Sequence, residues 1–296
     1  MIDMQRLRVL REVAEHGSFS KAAAALLLTP SAVSQQIAAL ERSLGTTVVQ
    51  RGPRGAVLTE PGRMLVETAD VIMAELLSTQ EQIGRLAARG TQRLSVATFA
   101  SAGQTLLPAA VSALAARHPG LEWKVSEHEP EQAITLVREG KADLALVFHF
   151  DGQPPVSPGD RSGLHWTQLM DDPMSIVLPA GHRLAGRSSI ALGELAGETW
   201  VEGCLSVGDR LKKYAALAGF EPQFACRTTD YNFAQALIAA GVGVGLVPRI
   251  AQLAPSEKLA VVALDPPHPT RYIGIVTARR RAQPLVAELM EALLPG

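Results

Sequence analysis

Through residues 3–90, apolar positions recur at intervals of three and four, with glycines at the breaks: Gly17, Gly45, Gly52, Gly55, Gly62 and Gly90. That spacing predicts helices with one buried face. The first helix is expected from Asp3 to His16, with Leu7, Leu10, Val13 and Ala14 on one side. Ser20 is placed to cap a second helix, the nearly pure Ala and Leu run 21–27, because its hydroxyl accepts from an otherwise unpaired N–H. Leu28, Thr29 and Pro30 form a tight turn, and Ser31 is placed to cap a third helix that Gly45 stops after Leu44. After Gly90 the pattern changes. Short β-rich runs (93–99, 121–127, 142–148, 174–180 and 271–277) alternate with helical stretches (103–117, 130–139 and 231–240). This alternation predicts an α/β domain with a mostly parallel sheet. The Pro, Gly and Ser-rich run 151–163 is read as a surface loop.

Between these regions, residues 61–90 contain no breaker from Gly62 to Gly84. Leu65, Ala69, Ile72, Leu76, Thr79, Ile83 and Leu86 alternate spacings of four and three, a heptad seam. A helix of about 27 residues is about 40 Å long. That is too long to bury its stripe on one small domain, so the simplest partner is a second copy of itself.

Composition narrows the classes. The 296 residues allow two or three domains, and 47% hydrophobic with 19% charged residues is ordinary for a globular protein. No run reaches the roughly 18 apolar residues of a membrane span, and the charged N-terminus is unlike a secretory signal. With only Cys204 and Cys226, the chain reads as cytoplasmic, with both thiols reduced. Net charge is −1 overall, whereas residues 1–62 hold seven Lys/Arg against five Asp/Glu, an excess of +2. Enzyme motifs fail on inspection. "HEPEQ" (128–132) lacks the second His of a zinc helix, and Pro130 interrupts it. "GVGVG" (241–245) runs into a strand rather than opening a helix, which suits close packing. No catalytic residue, metal site or cofactor is expected.

Two short helices joined by a tight turn make a helix-turn-helix. In the third helix Val33, Ile37, Leu40 and Leu44 form the buried stripe, while Ala32, Ser34, Gln35 and Gln36 project elsewhere. Gln suits the N6 and N7 edge of adenine, and small apolar groups suit the thymine methyl. A solvated helical pair has the same spacing. The following run "VVQRGPRGAVLTEPG" (48–62) is a β-hairpin wing in pattern, with Arg51 and Arg54 placed for phosphates.

The stretch "LRVLREVAEHGSFSKAAAALLLTPSAVSQQIAALERSLGTTVVQR", continuing into "RGAVLTEPG", resembles the LysR-type transcriptional regulators. Thr29 stands where that family usually has Gln, and Val48-Val49 where it usually has Leu-Phe. The resemblance implies DNA contacts from Ser20, Thr29, Pro30, Ser31, Ala32, Ser34, Gln35, Gln36, Arg51 and Arg54. It also implies paired linker helices, dimers that build tetramers, and RNA polymerase as a further partner.

Residues 91–296 resemble the regulatory part of the same family, through "RLSVATFASAGQTLLPAAVSALAARHPGLEW", "VREGKADLALV", "MSIVLPAGHRLA" and "ALIAAGVGVGLVP". Its fold is that of type 2 periplasmic binding proteins. The expected organisation is a winged helix-turn-helix (1–62), a linker helix (63–90) and a two-lobed α/β effector domain (91–296). Lobe one would hold about 91–164 and 268–296, and lobe two about 165–267. Small ligands in such folds sit between lobes, at strand and helix ends. Candidates are Thr98, Phe99 and Ser101, the last placed to cap a helix, then Phe148 and His149, with Glu202, Gly203, Cys204, Asp230, Tyr231, Asn232 and Pro248 opposite. Each also has a plainer reading: Phe148 as core, His149 as a structural histidine, Tyr231 and Asn232 as helix caps. A redox role for Cys204 finds little support in the sequence, because Cys226 is 22 residues away and no Lys or His flanks Cys204.

Overall fold

The computed structural model describes residues 2–52, 55–87, 92–150, 152–157, 163–253, 257–266, 268–279 and 283–294. The chain divides into two compact units. One is Met1–Gly90 with the stretches Val137–Lys141 and Pro158–Leu164, and the other holds the rest.

In the first unit, α1 (Met4–His16) starts at Asp3, whose carboxylate accepts from the Gln5 N–H, and ends at the left-handed Gly17. The cap of α2 (Phe19–Ala25) is Ser18 and not Ser20. Ser18 follows Gly17 in extended backbone and accepts from Lys21 N, whereas Ser20 lies one residue inside the helix. The cap of α3 (Pro30–Leu44) is likewise Thr29 and not Ser31. Pro30 fits the first turn because a first-turn N–H has no intrahelical partner to lose, and this moves the cap one residue ahead of the proline. Val9, Leu10 and Val13 of α1 meet Ala22 and Ala23 of α2 and Val33, Ile37 and Leu40 of α3 in one core. The alanines of α2 let its neighbours come close. Each fully buried leucine there contributes about 1.5–3 kcal/mol.

Strands β1 (Val49–Gly52) and β2 (Gly55–Leu58) pair antiparallel as the wing. Glu41 of α3 holds the wing's base by accepting from Val48 N at 2.8 Å and Val49 N at 3.3 Å. Ala56 N donates to Gly17 O at 2.8 Å. A side chain at Gly55 (φ +118°) would fall 2.4 Å from that same carbonyl, so the approach needs glycine. Helix α4 (Glu60–Ala87) follows directly. Its seam is unevenly covered within one chain: Ala69 is buried, but Leu76 is 50% and Ile83 60% exposed. The Leu86 side chain lies outside the described residues.

The second unit runs β3 (Arg93–Thr98), α5 (Ala100–Thr105), α6 (Leu107–Arg117), β4 (Glu122–Glu127), α7 (Pro130–Arg138) and β5 (Leu144–His149). It continues through β6 (Leu164–Pro179), β7 (Ser189–Ile190), β8 (Thr199–Glu202), α8 (Leu205–Leu217), β9 (Gln223–Arg227) and α9 (Tyr231–Ala239). It ends with β10 (Gly245–Pro248), β11 (Leu259–Leu264), β12 (Thr270–Ala278) and α10 (Pro284–Leu293). The main sheet has the order β4-β3-β5-β12-β6-β11-β7, with β10 also on β6, and β8 and β9 form a small second sheet.

The expectation of a mostly parallel sheet is corrected. β3 is parallel to β4 and β5, but β12 is antiparallel to β5, and β10 and β11 are antiparallel to β6. The cause is the 16-residue strand β6, which runs on through 174–179 to meet β10 and β11. With β12 beside it, β6 joins the two halves of the domain. Two glycines of "GVGVG" pack closely on β8: a side chain at Gly243 would fall 2.3 Å from Thr199 O and one at Gly245 3.1 Å from Val201 O, whereas Gly241 faces open space. Among the described residues no single helix is long and apolar enough to cross a membrane.

Candidate nucleic-acid interface and effector cleft

The start of α3 carries a short polar surface. Thr29, Pro30, Ser31 and Gln35 are exposed, as is Ser20 on α2, while Ala32, Ser34 and Gln36 are half-buried. The Thr29 Oγ1 accepts from Ala32 N at 3.2 Å and lies 2.9 Å from Ser31 Oγ. The hydroxyl expected to reach a base is therefore partly committed to holding the helix start. Val33, Ile37 and Leu40 face inward and fix the helix's rotation. The Arg51 backbone pairs with Ala56 on the wing, but its side chain and the whole of Arg54 lie outside the described residues.

In the second unit, β3 delivers Thr98 and α5 delivers Ser101, both 3% exposed. Ser101 does not cap α5, since Phe99 holds the cap position and makes no side-chain cap bond. Instead Ser101 Oγ accepts from Arg271 Nη2 at 2.7 Å. Arg271 Nε donates to Asp172 Oδ2 at 2.6 Å, and Asp172 Oδ1 accepts from Ile250 N at 3.0 Å. Arg271 and Asp172 are both fully buried. The guanidinium also lies 5.0 Å from the ring centre of Phe99 and 4.8 Å from that of Phe148. Those rings meet edge-on at 4.8 Å. A buried ion pair persists only when its desolvation is offset by close geometry and further hydrogen bonds, and this one has both.

Cys204 stands at the start of α8, 6% exposed, with Sγ 3.1 Å from Ser206 Oγ. Tyr231, the first residue of α9, is also 6% exposed. A side chain at Gly203 would fall 2.4 Å from its ring, so glycine admits the tyrosine. Burial first, and then the neighbouring Cys204, push the Tyr231 phenol well above its usual value, with Arg271 acting the other way. Phenol and thiol are close enough to interact, but the geometry completes no hydrogen bond for the Tyr231 oxygen. Asp230 caps α9 by accepting from Asn232 N and Phe233 N. Asn232 Nδ2 donates to Gln104 Oε1 on α5 at 3.2 Å. Pro248, buried, closes β10 opposite Met174.

Two candidates are held elsewhere. His149 Nδ1 lies 2.6 Å from Phe150 O, and its ring stacks on Tyr272 at 5.3 Å. Glu202 accepts from Arg227 Nε at 2.6 Å and fills the space where a side chain at Gly208 would stand. The structure gives His149 and Glu202 separate partners rather than each other. Arg271 and Asp172 were missed by sequence reasoning. The faint signal was a charged residue at the head of the apolar run "RYIGIVT" and an acidic pair, Asp171-Asp172, just ahead of the β-rich run 174–180.

The geometry thus joins a small-residue reading helix with wing to a two-part α/β domain that has a polar centre. Two family models match these parts. Residues 4–63 match the "Bacterial regulatory helix-turn-helix protein, lysR family", and residues 87–296 match the "LysR substrate binding domain". The chain belongs to the LysR family of transcriptional regulators. It is therefore a DNA-binding regulator with an effector-binding domain, and not an enzyme.

The chain is 31% identical over 284 residues to the "Probable hydrogen peroxide-inducible genes activator" of Mycobacterium avium, covering 91% of this chain and 86% of that one. It is 27% identical to the "DNA-binding transcriptional dual regulator OxyR" of Escherichia coli, covering 100% and 97%. In fold it is similar to full-length CbnR solved with its target DNA, with TM-score 0.55, 21% identity and 99% of each chain covered.

Proposed function

We propose that this regulator binds a pseudo-palindromic DNA site as a homo-oligomer and alters the spacing of its DNA-reading heads when a small molecule occupies the cleft. Residues 1–62 read DNA, 63–90 pair protomers and 91–296 hold the effector. The single observation that carries this reading is the bare seam of α4: Leu76 and Ile83, half or more exposed in one chain, are the apolar surface that a second α4 would cover. Pairing two reading helices in this way sets half-sites at a fixed separation. The effector shifts a population of lobe arrangements through its differential affinity for them. RNA polymerase is the partner through which such a shift would change transcription, and the cytoplasm is where both are met.

The test is a footprint on DNA upstream of the regulator's own gene, with and without the low-mass fraction of a cell extract. Two dyad-related protected half-sites, lost as salt rises, support the reading. Protection without sequence preference, or a chain that stays monomeric at micromolar concentration, contradicts it.

A second reading is oxidation of Cys204. It is favoured by the similarity to regulators named for hydrogen peroxide and by the position of this thiol at the start of α8, against Tyr231 and Ser206. Peroxide treatment that changes the footprint of wild type but not of Cys204→Ser supports it. Identical responses contradict it.

A further inference from the structure

A cavity of about 470 Å³ lies where the end of β12, the start of β6 and the first turns of α10 meet. Strand register separates it from the cleft. β12 pairs with β5 so that Tyr272 stands opposite His149 at one end and Thr277 opposite Leu144 at the other. Arg271 bonds Ser101 at the first end, and Thr277 lines the cavity at the second. The strand between residues 271 and 277 spans about 20 Å. On the neighbouring strand, Met174 N donates to Pro269 O at 2.9 Å, and a side chain at Gly274 would fall 2.4 Å from Thr167 O. The two strands therefore run in opposite directions, and His165 at the start of β6 comes level with the end of β12.

The lining divides by chemistry. Arg279, His165 and the Thr277 hydroxyl form a polar side, and Val286 and Met290 of α10 form an apolar one. The titratable groups that line it, Arg279 and His165, are both basic. Neither takes a hydrogen bond or an ion pair among the described residues. The acids beside the cavity are already engaged. Asp143 accepts from Ser95 N at 2.8 Å and from Gln283 Nε2 at 2.9 Å, which ties the start of α10 to the head of β5. Glu288 lies 3.0 Å from His118 Nε2 and 3.3 Å from Arg117 Nη1. Arg279 also opens a run of three arginines, 279–281. Crowded like charges repel, and an anion relieves that repulsion.

We infer that this cavity binds a small amphipathic anion, a carboxylate carried on an aromatic or branched alkyl body. Arg279 holds the carboxylate through charge-assisted hydrogen bonds, with His165 and Thr277 as neighbouring donors. The apolar body lies on Val286 and Met290. The site is separate from the cleft and stands whether or not the cleft takes an effector.

The test titrates the full-length protein with benzoate, benzamide, benzylamine and inorganic phosphate at matched ionic strength, read by isothermal calorimetry. The variants are Arg279→Gln, which removes the charge, and Ala287→Phe, which fills the cavity from α10. Both residues are exposed, so neither change touches the core. Benzoate is expected to bind wild type more tightly than the other three probes. Arg279→Gln should weaken it about tenfold or more, as expected for a lost hydrogen bond to a charged group. Ala287→Phe should weaken it in the same direction. Undiminished benzoate binding to Arg279→Gln overturns the site, as does wild type that binds no benzoate. Phosphate binding as tightly as benzoate overturns the apolar half of the ligand. Benzamide or benzylamine binding as tightly overturns the anion.

Discussion

The candidate DNA-reading head and the candidate effector cleft use polar side chains in opposite surroundings. On α3 the polar residues Thr29, Ser31 and Gln35 are exposed, and the apolar stripe behind them holds the helix in place. In the cleft the polar residues Ser101, Asp172, Arg271 and Tyr231 are buried, and they must satisfy one another or leave a proton unused. A surface group can be exchanged cheaply because water replaces its partner. A buried one cannot, because removing its partner strands a charge or a dipole in a poorly solvating medium. Substitutions should therefore change recognition in the head and stability in the cleft.

The largest expected effect tests that contrast at Arg271. Arg271→Met leaves Asp172 buried and unpaired, at a cost of about 3–5 kcal/mol. Adding Asp172→Leu should recover most of that loss, because the second change removes the stranded charge. Urea unfolding followed by tryptophan fluorescence measures both. A double variant no more stable than Arg271→Met would show that the pair is not the unit described here.

In the head, Gln35→Ala should leave folding intact and reduce discrimination at the base it reads by about 1–3 kcal/mol. Arg51→Ala should weaken binding to all sequences alike and lower the salt slope by about 1. Competition binding on site variants at several salt concentrations separates the two. Uniform loss from Gln35→Ala would remove it from base reading.

A smaller effect follows from the corrected cap. Thr29→Ala should destabilise the head by about 1 kcal/mol, and Ser31→Ala by less, because Thr29 bonds the helix N–H. Thermal unfolding followed by circular dichroism distinguishes them, and equal losses would move the cap back to Ser31.

The smallest effect is a pH dependence at Glu129, an exposed residue at the rim of a cavity, whose carboxyl is held above its usual value of 4.5 by partial desolvation. Between 4.5 and that higher value, the folded chain keeps a proton that the unfolded chain has released. Stability therefore falls as pH rises through this window. Glu129→Gln should flatten that part of the profile, and an unchanged slope would exclude Glu129 as its source.

The same contrast explains what the sequence made legible. The head is built from neighbours: Val33, Ile37 and Leu40 mark the inner face, and Gly17 and Gly45 mark the ends, all within one local pattern. Its two errors were short shifts. Ser20 and Ser31 were each read as caps two residues late, because Ser18 after Gly17 and Thr29 before Pro30 offer the same chemistry nearby. The cleft is built from residues far apart. Ser101, Asp172 and Arg271 meet only because β6 and β12 lie side by side at the centre of the sheet, and no spacing along the chain encodes that. Candidates at strand ends such as Thr98, Phe99 and Phe148 were reachable, because strand ends are visible in the pattern. The separate partners of His149 and Glu202 were not, since they depend on Tyr272 and Arg227 arriving from distant segments.

The central claim is that occupancy of the effector domain changes how the heads meet DNA. The most direct measurement is the footprint on DNA upstream of the regulator's own gene, run on wild type with and without the low-mass extract fraction. The account predicts two dyad-related protected half-sites whose boundaries shift when the fraction is added. Sequence-selective protection that stays identical with and without the fraction would contradict it.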